Sequence, residues 1–405
     1  MWLVPNASSL RKRDEGEGSA EELDTDEHLA EYEEDEEEDH RVAHLLSDHR
    51  QLASVAAIFV LGVLAIYLVL PKVVGFNDSL DRIHDPTWYW IVVAVAFCVL
   101  QFVAYVALFR GVLGGRSETE VRRRLDVKAS YQITMAGLAA TRIFSAAGAG
   151  GIVLTYWALR KAGMPRRRSA CRMVAFLALT YSVYLAALII FGVLLRVGVL
   201  PGDDPVGGTI VPAGIAAAVV LVLGLVALIP GDFERRLSKA SSDTRMGRLA
   251  AKLATGPATL STGIRTAIDY IAHPSRGALG VFGAVGFWAS QIGIMWACFE
   301  AFGGSVPFAV LVQGFFVGMA ANLIPSPAGG VGSVDAGMIG AFVLFGIDKE
   351  IVFPAVLSYR IIAFWLPIPP GIVAFFQLRR TVARWEGERR GAGYTSQSKV
   401  MTEAT

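Results

Sequence analysis

Runs of about twenty apolar residues constrain this chain more than any other feature. They fall at 52–70, 88–109, 173–197, 209–231, 278–302 and 351–378. At a rise of ~1.5 Å per residue, a helix of that length covers the ~30 Å hydrocarbon core of a bilayer. The chain is 54% hydrophobic and 18% charged, with a mean hydropathy of +0.48, which excludes an ordinary soluble domain. The class that follows is an all-α polytopic integral membrane protein.

Charge is divided along the chain. Residues 14–39 hold sixteen Asp and Glu and no Lys or Arg, whereas from residue 40 onward 34 basic residues face 20 acidic ones. The acidic head has too little apolar surface to offset ordering entropy, so residues 1–48 read as a disordered tail. No cleavable signal precedes the first apolar run. Cys98, Cys171 and Cys298 have neither metal nor disulfide spacing, and no histidine pair has ligand spacing. No metal, cofactor or nucleic-acid partner is expected.

The loops set the sides. Segments 110–128 and 158–172 carry six basic residues each, 232–276 carries eight, and the tail after 378 carries six. By contrast 71–87 has two, 198–208 none and 348–350 one. Excess Lys and Arg marks cytoplasmic loops, so the first group and both termini lie in the cytoplasm, in a cell membrane. Region 129–157 then begins and ends inside, and region 306–347 begins and ends outside. Each crosses an even number of times. The first has about 29 residues, too few for two crossings and a turn; the second could just manage two crossings, but its turn "SPAGG" carries no basic residue to mark a cytoplasmic loop. We therefore expect two re-entrant helical hairpins beside about six full transmembrane helices.

The two halves match. Span 88–109, a hairpin broken at Gly148, Gly150 and Gly151, and span 173–197 form one unit. Span 278–302, a hairpin broken near Pro325, Pro327, Gly329, Gly330 and Gly332, and span 351–378 form the other. They enter from opposite sides, which is an inverted-topology repeat, and such repeats place their site where broken helices meet.

Non-helical backbone survives at membrane depth only where protein or water satisfies it. Pro325 and Pro327 end one leg, and glycines turn the chain and leave amides open. Ser333 is expected to cap the returning leg, whose N-terminus favours an anion. Arg142, Asp335 and Arg360 all fall near the midplane, where each charge costs at least ~2.5–3.5 kcal/mol unless paired or wetted. Two readings stay open. Arg142 and Arg360 clamp a headgroup phosphate with Asp335 as counter-charge, or an Arg–Asp lock merely positions helices. Asn322 and Tyr359, with Gln132, Gln291 and Gln313, either wet the cavity or tie helices together. Segment 232–276 mixes basic and apolar residues at helical spacing. It reads as a cytoplasmic amphipathic helix on the inner leaflet or as a solvated connector.

The run "PSPAGGVGSVDAGMIGAFVLFG" followed by "AVLSYRIIAFWLPIPPGI" resembles the lysylphosphatidylglycerol synthase transmembrane family, also called flippase-like. Gly329, Gly330, Gly332, Asp335, Ala336, Tyr359, Arg360, Leu366 and Pro367 hold the positions of that family's Gly-Gly-x-Gly-x-x-Glu-Ala, Tyr-Arg and Leu-Pro elements. Asp335 replaces the usual glutamate. The first half matches more loosely through "SAAGAGGIVLTYWALRKAGMPRRRSACRMV", where Ile152 and Thr155 stand at the family's acid and arginine. The resemblance covers residues 50–380 and implies a domain over 49–380 that moves a phospholipid or another anionic lipid-linked molecule between leaflets. Residues 381–405 read as a flexible cytoplasmic tail. About 27 residues follow the last span, so no aminoacyl-transferase activity is expected, and a partner enzyme encoded separately is in keeping with the resemblance. Two other readings are a small-solute or ion transporter on the same repeat, and a polyprenyl-linked glycosyltransferase using Asp203 and Asp204.

Overall fold

A computed structural model describes residues 87–114, 119–143, 149–229, 245–323 and 330–403. The acidic head and the apolar run 52–70 lie outside the described residues, as do Gly148, Pro325, Pro327 and Gly329. Among the described residues every regular element is helical. In chain order these are α1 (Trp88–Phe109), α2 (Thr119–Arg124), α3 (Val127–Ile143), α4 (Ala149–Lys161), α5 (Arg166–Arg196) and α6 (Ile210–Ala227). There follow α7 (Arg245–Ala272), α8 (Pro274–Ala301), α9 (Phe308–Met319), α10 (Ser333–Leu344), α11 (Lys349–Arg360) and α12 (Ile368–Glu403). Two π-turns, Arg110–Gly114 and Ile361–Trp365, extend α1 and join α11 to α12.

Five segments are long and apolar enough to cross a bilayer: Trp88–Gly114, Arg166–Arg196, Ile210–Ala227, Gly277–Ala301 and Lys349–Glu388. They coincide with five of the six expected spans. Apolar side chains face outward along them, as in α6, where Ile215, Leu221 and Leu225 are all more than half exposed. An apolar residue facing lipid has no water to escape, so this exposure is stable in a membrane and nowhere else. The protein is a multi-pass all-α membrane protein.

Between the spans lie two pairs of short helices. The pair α3/α4 has 17 and 13 residues, and α9/α10 has 12 and 12, with a 3₁₀ turn at Ala320–Leu323 ending α9. At ~1.5 Å per residue the legs run about 18–26 Å, short of a full crossing. Each pair closes on glycine. A Cβ at Gly151 would lie 2.5 Å from the Gly137 carbonyl oxygen, and one at Gly337 would lie 2.7 Å from that of Gly318. Gly150 and Gly151 were expected in the break itself. They stand instead in the first turn of α4, where Gly151 lets the two legs touch.

The helices exchange partners between halves. Hairpin leg α3 packs on α12, which follows the other hairpin, and leg α9 packs on α5, which follows the first. Thr381 donates to the Gln132 side-chain oxygen at 2.9 Å in one case, and Tyr184 donates to the Phe316 carbonyl at 2.7 Å in the other. The two opening helices, α1 and α8, pack on each other over the longest contact in the fold. A row of glycines at 280, 283 and 286 makes this possible, while Gly277, one turn earlier, lets α8 approach the Tyr270 backbone of α7. A Cβ at Gly283 would strike the Leu108 backbone, and one at Gly286 would lie 3.2 Å from Ala104 Cβ. Small residues in such a row let helices approach until backbone dispersion contacts count.

Two expectations change. The last helix does not give way to a flexible tail at 381. It continues to Glu403, with Thr381, Val382 and Trp385 buried against the bundle. The described side chains of α7 bury Ala258, Ser261, Ile264, Ala267 and Tyr270, on a helix that packs against α5, α6 and α8. Arg265 donates to the carbonyls of Ala227 and Ile229, both at 2.6 Å, satisfying acceptors that the end of α6 leaves open. This helix therefore docks on protein through that face and is not the solvated connector of the second reading.

Candidate functional site

The site is built on two interruptions of helix. At the first, Gly330 and Gly332 have φ of +89° and +88°, a left-handed conformation open to glycine at little cost. The Gly332 amide donates to Asp335 Oδ2 at 2.8 Å, so the carboxylate caps its own helix from the third position of α10. Ser333, expected as the cap, is the first residue inside the helix. The capping position itself needs positive φ, which serine adopts only under strain.

The other carboxylate oxygen of Asp335 lies 2.7 Å from Arg360 Nε, with the side chains 11% and 5% exposed. The contact is an ion pair by distance, but its angle falls outside hydrogen-bond geometry. Arg360 Nη2 also donates to the Gly330 carbonyl at 3.2 Å. Arg360 closes α11, about 17 Å of helix from Lys349, and Asp335 stands about 15 Å from Phe345. Half of a ~30 Å core is about 15 Å, close to the length of helix that separates each from the end of its element.

The second interruption is the π-turn at Ile361–Trp365. Just past this turn Pro367, Pro369 and Pro370 carry no N–H, so the helical ladder loses donors there. Arg142, at the end of α3, supplies the missing protons. Its Nη1 donates to Phe364 O at 2.6 Å and its Nη2 to Ala363 O at 2.8 Å. A planar guanidinium can serve two neighbouring carbonyls at once, and an ammonium cannot do so with one geometry.

Both cations lie over the Phe364 ring, its centroid 5.0 Å from the Arg142 guanidinium carbon and 4.4 Å from that of Arg360. The ring's π-face attracts each of them. One carboxylate therefore stands against two guanidinium groups, and among the described residues no acid pairs with Arg142. The centre carries one net positive charge inside a membrane protein.

Tyr359 precedes Arg360 on α11. Its hydroxyl donates to Gln291 Oε1 at 2.8 Å, tying α11 to α8, while its ring packs edge-on against Phe315. Gln313 likewise donates to the Gly208 carbonyl at 2.9 Å. These polar residues are ties between segments. Asn322 is exposed, with its Oδ1 next to Gly330, where a Cβ would come within 2.9 Å of it. Sequence reasoning missed Phe364 and its carbonyl. The signal was present in Pro367, Pro369 and Pro370, which remove N–H donors just after the turn.

Asp204 pairs with Arg196 at 2.9 Å on an exposed loop, and Asp203 packs against Gly346. Both acids thus hold the short connection between α5 and α6.

Comparison with known proteins agrees with this architecture. The profile described as "Lysylphosphatidylglycerol synthase TM region" matches residues 51–371. Three similar relatives from Methanothermobacter thermautotrophicus are each named "UPF0104 membrane protein". One is 23% identical over 330 residues, which is 79% of this chain and 94% of the relative. The others match locally, at 30% over 96 residues and 27% over 117, so that the chain spans only 27% and 35% of their lengths. With most of its length matched by that profile, the chain belongs to the lysylphosphatidylglycerol synthase transmembrane region family.

Proposed function

We propose that this protein moves an anionic lipid, or another lipid-linked phosphate, between the leaflets of the cell membrane. The observation that carries the reading is the pair of guanidinium groups, one from each half, meeting on Phe364 with a single carboxylate, which pairs with Arg360. A phosphodiester has one negative charge and oxygens that match the guanidinium fork, so it would bring this centre to neutrality. Buried centres with unbalanced charge are costly in a membrane and mark pathways for charged cargo.

In this reading α3/α4 and α9/α10 are re-entrant hairpins of an inverted repeat, with both termini cytoplasmic. The exchange of partners between halves and the glycine closure of each hairpin support it. Alternating access then follows as one hairpin and its partner helix rock against the other. Arg142 and Arg360 receive the phosphate in turn, and Asp335 holds Arg360 while the site is empty. In this reading the described residues perform no covalent chemistry on the lipid. Asp203 and Asp204, engaged in loop packing, give the glycosyltransferase reading no free carboxylate pair. A small-solute transporter would need a site closed to lipid, whereas an apolar groove here opens sideways beside the π-turn.

Purified protein in vesicles with tail-labelled phosphatidylglycerol tests the proposal. We expect wild type to speed exchange between leaflets and Arg360→Ala to abolish the gain. Equal exchange by the two proteins would remove the clamp from the account.

A further inference from the structure

A groove of about 730 Å³ runs along the outer side of α1, walled by α3 and by the start of α12. We infer that it seats one acyl chain of an anionic phospholipid, with Lys128 on the headgroup phosphate. The inference deepens the preceding reading by naming where the cargo waits, and it rests on lipid being that cargo.

Four observations carry it. The floor is one face of α1, from Val95 through Val99 and Val103 to Val106, and is apolar almost throughout. Those eleven steps of helix measure about 16 Å, close to the ~15 Å hydrocarbon depth of one leaflet. The groove's only charged lining residue is Lys128, placed with Tyr131 at the end where α3 begins, as a phosphate and a glycerol backbone require. Asp126 is turned away from this role, since its Oδ1 accepts from the Ala129 amide at 2.7 Å and caps α3. At the opposite end the groove runs beside the π-turn. Cys98 lines it and donates to the Ile362 carbonyl at 3.3 Å, and Leu366 and Pro367 border it beside the π-turn that Arg142 holds. A chain lying in the groove would therefore bring its headgroup to the mouth and its tail to the gate.

Its volume lies within the ~300–1,000 Å³ of pockets that bind small molecules. Val99 and Val103 are about 60% exposed, so substitution there disturbs no packed core.

The test uses full-length protein in phosphatidylcholine vesicles with trace phosphatidylglycerol bearing a diazirine in one acyl chain. After irradiation, adducts are mapped by peptide mass spectrometry. We expect adducts concentrated on 95–106 and 131–135 relative to the outward face of α6. Lys128→Gln should lower them about fivefold, the factor for one lysine against an anionic headgroup. It should leave labelling by diazirine phosphatidylcholine unchanged, while Val99→Trp, which fills the groove, lowers both. Arg360→Ala should keep the adducts while losing leaflet exchange, so groove occupancy and translocation are read separately. Labelling of the groove no greater than that of α6, or phosphatidylglycerol labelling indifferent to Lys128→Gln, would overturn the inference.

Discussion

Removing one charge from the Asp335–Arg360 pair should destabilise the protein, and removing both should cost far less than the sum. Asp335→Asn keeps the size of the side chain and an oxygen for the Gly332 amide, so the change is almost purely of charge. With the charge centres ~4 Å apart, an effective dielectric of ~20 gives an attraction of about 4 kcal/mol. The side chains are 5% and 11% exposed, so solvent screens this little. Each single change strands a buried ion and should lower the unfolding free energy by about 3–5 kcal/mol. In Asp335→Asn/Arg360→Gln neither ion remains, and the coupling energy from the cycle should be about 3 kcal/mol. Reversible unfolding in mixed micelles, followed by tryptophan fluorescence, measures it. A double variant as destabilised as the two singles added together would refute the reasoning, since it would mean that the ions do not sense each other.

Arg142→Met should leave the Ala363 and Phe364 carbonyls without donors, at ~1–3 kcal/mol for each unsatisfied group, and Arg142→Lys should recover only part of the loss; the same unfolding assay checks both. Gly283→Leu should force α1 and α8 apart, with an overpacking cost of ~1–3 kcal/mol or more, seen as a lowered midpoint in thermal unfolding. Gly214→Ala on the outward face of α6, where a Cβ meets nothing within 4 Å, should instead be neutral or raise stability by ~0.5–1 kcal/mol in that measurement.

The spans were legible because hydrocarbon thickness demands a fixed length of apolar helix, and five of the six fall where the composition puts them. Counting basic residues in the loops located the two short pairs, since parity left no other even crossing. Arg360 and Asp335 could be brought together by depth alone. The partner of Arg142 could not, because its acceptors are backbone carbonyls on a distant helix and depend on which helices are neighbours. Gly150 and Gly151 looked like turn residues, yet both are helical, and the use of Gly151 is close contact with Gly137, a matter of packing rather than φ. Ser333 lost the cap to Gly332 because local backbone strain outweighed side-chain preference. The glycine row at 280–286 was readable as a helix-contact face and was the plainest signal left unused.

The account stands or falls on both helix breaks lying halfway through the bilayer. Spin labels placed singly at Ile152→Cys and Ala336→Cys, with the three native cysteines replaced, give their depths from the competing access of oxygen and a water-soluble nickel chelate. We predict similar depths for both, about 15 Å from either edge of the hydrocarbon core. A label reporting from either membrane surface would contradict it.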